Sequence, residues 1–128
     1  MDGSFVTPDD AAEVERVELA EVAAAAARSV AGVVRLQPGL VGLLKQLAAQ
    51  AWERATGRPV PDIAGIDVEL RADGRVEVGA RIVTAATHRA AEVGAAVHAS
   101  ISTAVESVTG TAPQVRVRIV EIALEPNR

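Results

Sequence analysis

Residues 66–82 read Ile66-Asp67-Val68-Glu69-Leu70-Arg71-Ala72-Asp73-Gly74-Arg75-Val76-Glu77-Val78-Gly79-Ala80-Arg81-Ile82. Ile66, Val68 and Leu70 alternate with Asp67, Glu69 and Arg71. After Ala72-Asp73-Gly74, the residues Val76, Val78, Ala80 and Ile82 alternate with Arg75, Glu77, Gly79 and Arg81. A side-chain period of two belongs to a strand with one covered face. Asp-Gly between two such runs signals a hairpin, because Gly adopts the positive φ that tight turns require. The hairpin has one apolar and one charged face.

Towards the C-terminus, Val93, Val97, Ile101, Val105 and Val108 form a stripe at helical spacing, which predicts a helix over 87–109. Gly110 ends it, and Pro113 guards the exit. Val115, Val117 and Ile119 then alternate with Arg116 and Arg118 as a last strand. The phase changes at Val120, Ile122 and Leu124, which predicts a bulge or an edge that becomes buried on both sides.

Towards the N-terminus, Leu40, Leu43, Leu44, Leu47 and Ala51 fall on one stripe and predict a helix over 40–56, capped by Gly57. Val33-Val34-Arg35-Leu36 is a short strand ended by Pro38-Gly39. Val17, Ala20, Ala24, Ala27 and Val30 predict a helix over 17–30 that stops at Gly32. Residues 1–12 read as a disordered acidic tail and 13–125 as one domain. The order implies an α+β fold: a two-layer domain in which a small mixed sheet, the hairpin plus flanking strands, carries its helices on one face. Val97 and Ile101 are expected against Val68, Val78 and Val117.

The 128 residues are 49% apolar, enough for a core without staples. There is no Cys, so disulfides, thiol nucleophiles and thiolate metal sites are excluded. Phe5 and Trp52 are the only aromatic residues, which argues against a stacking surface for single-stranded nucleic acid. Of the net charge of −4, residues 1–21 hold −6, from seven acids against Arg16, and the rest is close to neutral. No apolar run approaches the roughly 20 residues that span a bilayer, so a cytoplasmic location without direct membrane insertion is expected.

The phrases Val68-Glu69-Leu70, Val76-Glu77-Val78 and Ile82-Val83 are followed by Val105-Glu106-Ser107-Val108-Thr109-Gly110 and by Val115-Arg116-Val117-Arg118-Ile119. This combination resembles the alkaline shock protein family, the envelope stress response proteins of Gram-positive bacteria. The resemblance covers about residues 66–122 and extends loosely over 17–36. Many members carry a Tyr-Gly pair where this chain has Thr84-Ala85-Ala86. The resemblance implies a cytoplasmic protein that is not an enzyme. It implies self-association into a homo-oligomer, a small membrane-anchored protein partner, and a role in cell-envelope homeostasis at the inner face of the membrane. It carries no catalytic residues over.

The residues agree with that picture. His88 and His98 are about 80° and 15 Å apart on one helix and cannot share a metal ion. Ser100, Ser102 and Ser107 lack a nucleophile elbow and a base, and read as helix-surface serines. No catalytic, cofactor-binding or metal residue is expected, and no cofactor. The candidate partner-binding face is the charged side of the sheet, with Arg71, Arg75, Arg81, Arg116 and Arg118. Its other reading is a solvated face stitched by cross-strand ion pairs. The alternative function is a KH-like nucleic-acid module, since Gly39-Leu40-Val41-Gly42 matches the G-x-x-G letters. It lacks a basic surround beyond Arg35, so no nucleic-acid partner is expected.

Overall fold

A computed structural model describes residues 8–39, 52–58 and 62–124. The elements are α1 (Pro8–Arg28), β1 (Val33–Leu36), α2 (helical over 52–56), β2 (Ile66–Leu70), β3 (Val76–Ala85), α3 (Ala90–Thr109) and β4 (Gln114–Ala123).

β3 is the centre of the sheet because it is twice the length of β2 and pairs along both edges. One edge takes β2 antiparallel, from Ile66↔Ala80 to Leu70↔Val76, and then β1 antiparallel, from Leu36↔Ile82 to Val33↔Thr84. The other edge takes β4 in parallel, from Glu77↔Gln114 to Ala85↔Ala123. At the junction of β1 and β2, the Arg81 N–H donates to the Gly65 carbonyl and the Gln37 N–H donates to the Arg81 carbonyl, both at 2.9 Å. No donor of β3 is lost there. The sheet is mixed because α3 returns the chain to the starting end of β3, which makes β4 parallel.

The hairpin turn joins β2 to β3 as the alternation predicts. The Gly74 N–H donates to the Arg71 carbonyl at 2.9 Å, with Gly74 at φ +90°. That conformation suits a residue without Cβ.

α1 and α3 lie on the same face of the sheet. Val93, Val97, Ile101 and Val105 of α3 meet Ile66, Val68, Val76, Val78, Ala80 and Ile82 in one core, with Val115, Val117 and Ile119 packed against it. Leu19, Ala20, Ala23, Ala24 and Ala27 bring α1 into the same cluster. Alanines at these positions let the helix axis approach both the sheet and α3. Ser100 joins the two helices by donating to the Ala26 carbonyl at 3.1 Å, so it is half-buried between them and not a surface serine.

Four boundaries or burials differ from the sequence reading. α1 begins at Pro8, so residues 8–12, read as tail, are helical. Pro suits the first helical position, and Asp10 in the first turn pairs with Arg54 at 2.5 Å. α3 begins at Ala90, because 86–89 form a turn closed by the His88 N–H on the Ala85 carbonyl. Val108 has the angle of the buried stripe but is exposed, since the last helical turn runs past the packed layer after Val105. The phase change at Val120 is a bulge, with Ile82 opposite Ile119 and Val83 opposite Glu121. The strand beyond it is not buried on both sides: Ile122 is 52% and Leu124 82% exposed.

Most of the helix expected over 40–56 falls on 40–51, outside the described residues, as does the tail over 1–7. Residues 52–56 are helical and end at Gly57, φ +68°, whose N–H donates to the Glu53 carbonyl. Trp52 is buried, with the Arg58 guanidinium 5.1 Å from its ring centre.

Candidate functional site

The face of the sheet turned away from α1 and α3 carries the odd-numbered, charged residues of the hairpin and the arginines of β4. From the hairpin end, the cross-strand rows are Glu69–Glu77–Gln114, Asp67–Gly79–Arg116, Arg81–Arg118 and Arg35–Val83–Glu121. All five expected arginines belong to this face or its turn, but the structure divides them into two groups.

Arg71 and Arg75 are neutralised at the hairpin end. Arg71 Nη2 lies 2.8 Å from Glu77 Oε1 and 2.9 Å from Glu69 Oε1. It therefore bridges the two carboxylates that the register puts directly opposite each other, a placement that is repulsive without a cation between them. The hydrogen bond to Glu77, then the charge of Glu69, holds the Arg71 guanidinium above its ordinary range. The same hydrogen bond is the main cause that holds the Glu77 carboxyl below its ordinary value. Arg75 Nε donates to Asp73 Oδ2 at 2.8 Å inside the turn.

Arg81, Arg116 and Arg118 are different. They occupy adjacent positions on β3 and β4, with Arg81 directly opposite Arg118 and Arg116 opposite Gly79. None of the three has an ion pair among the described residues, and Arg81 Nε is buried without a hydrogen-bond partner. Every other described arginine has a carboxylate within 4.0 Å, except Arg58 on Trp52. Like charges placed opposite across a sheet are destabilising, so this cluster is a cost to the isolated fold. Gly79 leaves a notch beside it, since a Cβ there would meet only Asp67 Cβ, at 4.0 Å.

No family model, curated protein or solved structure matches this chain.

The sequence reading missed Arg35 as a member of this face. Its Nη2 reaches Glu121 Oε1 at 3.2 Å and closes the far end of the arginine cluster. The alternation in Val33-Val34-Arg35-Leu36 puts Arg35 opposite to the buried Leu36, but only the pairing of β1 with β3 brings it to Glu121.

The remaining candidates do not converge. His88 and His98 are both exposed, and His88 Nδ1 lies 3.1 Å from Thr87 Oγ1. Among the described residues no three His, Cys, Asp or Glu side chains approach closely enough to hold a metal ion. Among them also, no helix is long and apolar enough to cross a membrane. Gly39 follows a strand, not a helix, and Gly42 lies outside the described residues. A groove of about 460 Å³ runs beside β1, crossed by Arg28, whose Nη2 donates to the Asp62 carbonyl at 3.0 Å.

Proposed function

We propose that this chain is a non-enzymatic assembly protein whose outer sheet face docks an acidic segment of a protein partner. The unpaired block of Arg81, Arg116 and Arg118 carries this reading. Three guanidinium groups on two neighbouring strands form a flat, donor-rich surface that suits bidentate carboxylates. An acidic segment laid across it relieves the Arg81–Arg118 repulsion. The resemblance to the alkaline shock proteins supports a setting at the inner face of the cell membrane, reached through a small membrane-anchored partner, with a role in envelope homeostasis. Self-association belongs to the same reading.

The test uses a labelled oligo-glutamate peptide as probe, followed by fluorescence anisotropy at low and high salt. The wild-type chain is expected to bind at low salt and release the peptide as salt rises, because exposed charges are screened over about 8–10 Å at physiological ionic strength. Arg81→Glu with Arg116→Glu is expected to abolish binding. Arg71→Ala, in the neutralised group, leaves binding nearly unchanged. Equal binding by the double variant and the wild type refutes the docking face.

A further inference from the structure

β4 offers a ten-residue edge that no other described element covers: it pairs with β3 alone, on one side. Folded proteins block such edges with bulges, charges or covering loops, because an open edge recruits another strand. β4 has both a bulge at Val120 and charges at Arg116, Arg118 and Glu121, yet their arrangement is self-complementary.

We propose that β4 pairs antiparallel with β4 of a second copy of this chain, about a two-fold axis between Ile119 and Val120. In that register Arg118 stands opposite Glu121 of the second copy. Val117 stands opposite its Ile122, Val115 opposite its Leu124, and Arg116 opposite its Ala123.

Two observations select this register and this occupant. The first is the bulge. Before it, Val115, Val117 and Ile119 face the helices and Arg116 and Arg118 face outward. After it, Glu121 shares a row with Val83 and Ile122 with Thr84, so the phase is reversed and Ile122 continues the helix-side row, with Leu124 two residues on, just past the end of β4. A strand without the bulge pairs odd positions with odd positions about a two-fold axis. The reversal at Val120 makes odd pair with even while every residue still meets a partner on its own face. A regular strand leaves Val120 unmatched, as β3 does. A second β4 carries the same extra residue at the same height and leaves none unmatched.

The second observation is what the pairing satisfies. Ile122 and Leu124, at 52% and 82%, are two of the large apolar side chains most exposed to solvent, and both gain valine neighbours across the strand. Glu121 uses only Oε1 on Arg35, which leaves Oε2 to accept from Arg118 of the second copy. The interface is isologous, so each pair occurs twice. Both outer faces then lie on the same side of one continuous sheet. This specifies the self-association in the assembly reading but rests on β4 alone.

Arg118→Glu and Glu121→Arg each turn two attractions into two repulsions; both side chains are exposed, so the fold tolerates the changes. By sedimentation, the wild type is expected to dimerise, and each single variant to dissociate at concentrations about tenfold higher or more. An equimolar mixture of the two variants restores the dimer, since Glu at 118 then meets Arg at 121 and the native pair occupies the other site. The chain has no cysteine, which allows a direct reading of the register. Chains carrying Arg118→Cys and chains carrying Glu121→Cys form a disulfide when mixed and oxidised, and neither does so alone. A wild type that stays monomeric at high micromolar concentration overturns the pairing. So does a dimer indifferent to both charge reversals, or a mixture without cross-link. Arg81→Glu, on β3 and outside the paired edge, weakens the docking face and leaves the dimer intact, so the two proposals fail separately.

Discussion

Arg35 and Glu121 meet across Val83: Arg35 Nη2 lies 3.2 Å from Glu121 Oε1, and Val83, the register partner of both, is 0% exposed although it belongs to the outer face of the sheet. The ion pair ties the two strands that flank β3 at its C-terminal end. It also flanks an apolar side chain on the face that carries the arginines.

Both charges are about half exposed, so the bridge itself is worth little. A double-mutant cycle with Arg35→Ala and Glu121→Ala is expected to give a coupling of about 0.2–1 kcal/mol. Val83→Ala is expected to cost about 1.5–3 kcal/mol in urea unfolding, as a buried side chain should. A loss well below 1 kcal/mol at Val83 would show that its burial contributes nothing.

Thr84 stands between Val33 and Ile122 in the row behind Val83, and its Oγ1 is fully buried without a hydrogen-bond partner. An unsatisfied hydroxyl costs about 1–3 kcal/mol to bury, and Val has nearly the same shape. Thr84→Val should therefore raise the midpoint of denaturation, by about 1 kcal/mol in stability. A destabilised variant would reveal an acceptor for this hydroxyl.

Two glycines give opposite expectations. Gly32 has φ +95°, and a Cβ there would lie 2.6 Å from Val93 Cγ2 and 2.9 Å from His88 Cγ. Gly32→Ala combines a left-handed backbone with a clash against the core helix, and should cost about 2–4 kcal/mol. Gly79 sits in the middle of β3 with nothing nearer than 4.0 Å to its Cβ position. Gly79→Ala should be neutral or stabilise by up to about 1 kcal/mol, through the lower entropy of the unfolded chain. Thermal melts of both variants separate these outcomes; equal melting temperatures would contradict the account of Gly32.

The Glu77 carboxyl is held below its ordinary value of 4.5, chiefly by the hydrogen bond from Arg71. A depressed carboxylate stabilises the folded state fully above its unfolded value. That stabilisation is lost as pH falls through the folded value. Stability should therefore decline below about pH 4.5, and Glu77→Gln should flatten that decline. Arg71, raised by the same contacts, stays charged throughout and adds no slope there. Acid unfolding curves of the two proteins that superimpose would show that this pair does not couple to folding.

The hairpin, the buried stripe of α3 and the bulge at Val120 are all legible in the sequence, because each is a local periodicity or a break in one. Val97 and Ile101 do meet Val68, Val78 and Val117 as the pattern requires. Periodicity also assigns Arg71, Arg75, Arg81, Arg116 and Arg118 to the charged side. It carries no information about which strand lies beside which. Only the pairing of β3 with β2 and β1 on one edge and β4 on the other gives Arg71 its two carboxylates and leaves Arg81, Arg116 and Arg118 with none. The same pairing sets Val83 between Arg35 and Glu121, from two strands distant in sequence, and Val108 stays exposed at the right angle on a helix that has outrun its packing. Side-chain direction is set by the residue's own strand or helix, whereas neutralisation and burial depend on neighbours that the tertiary structure alone supplies.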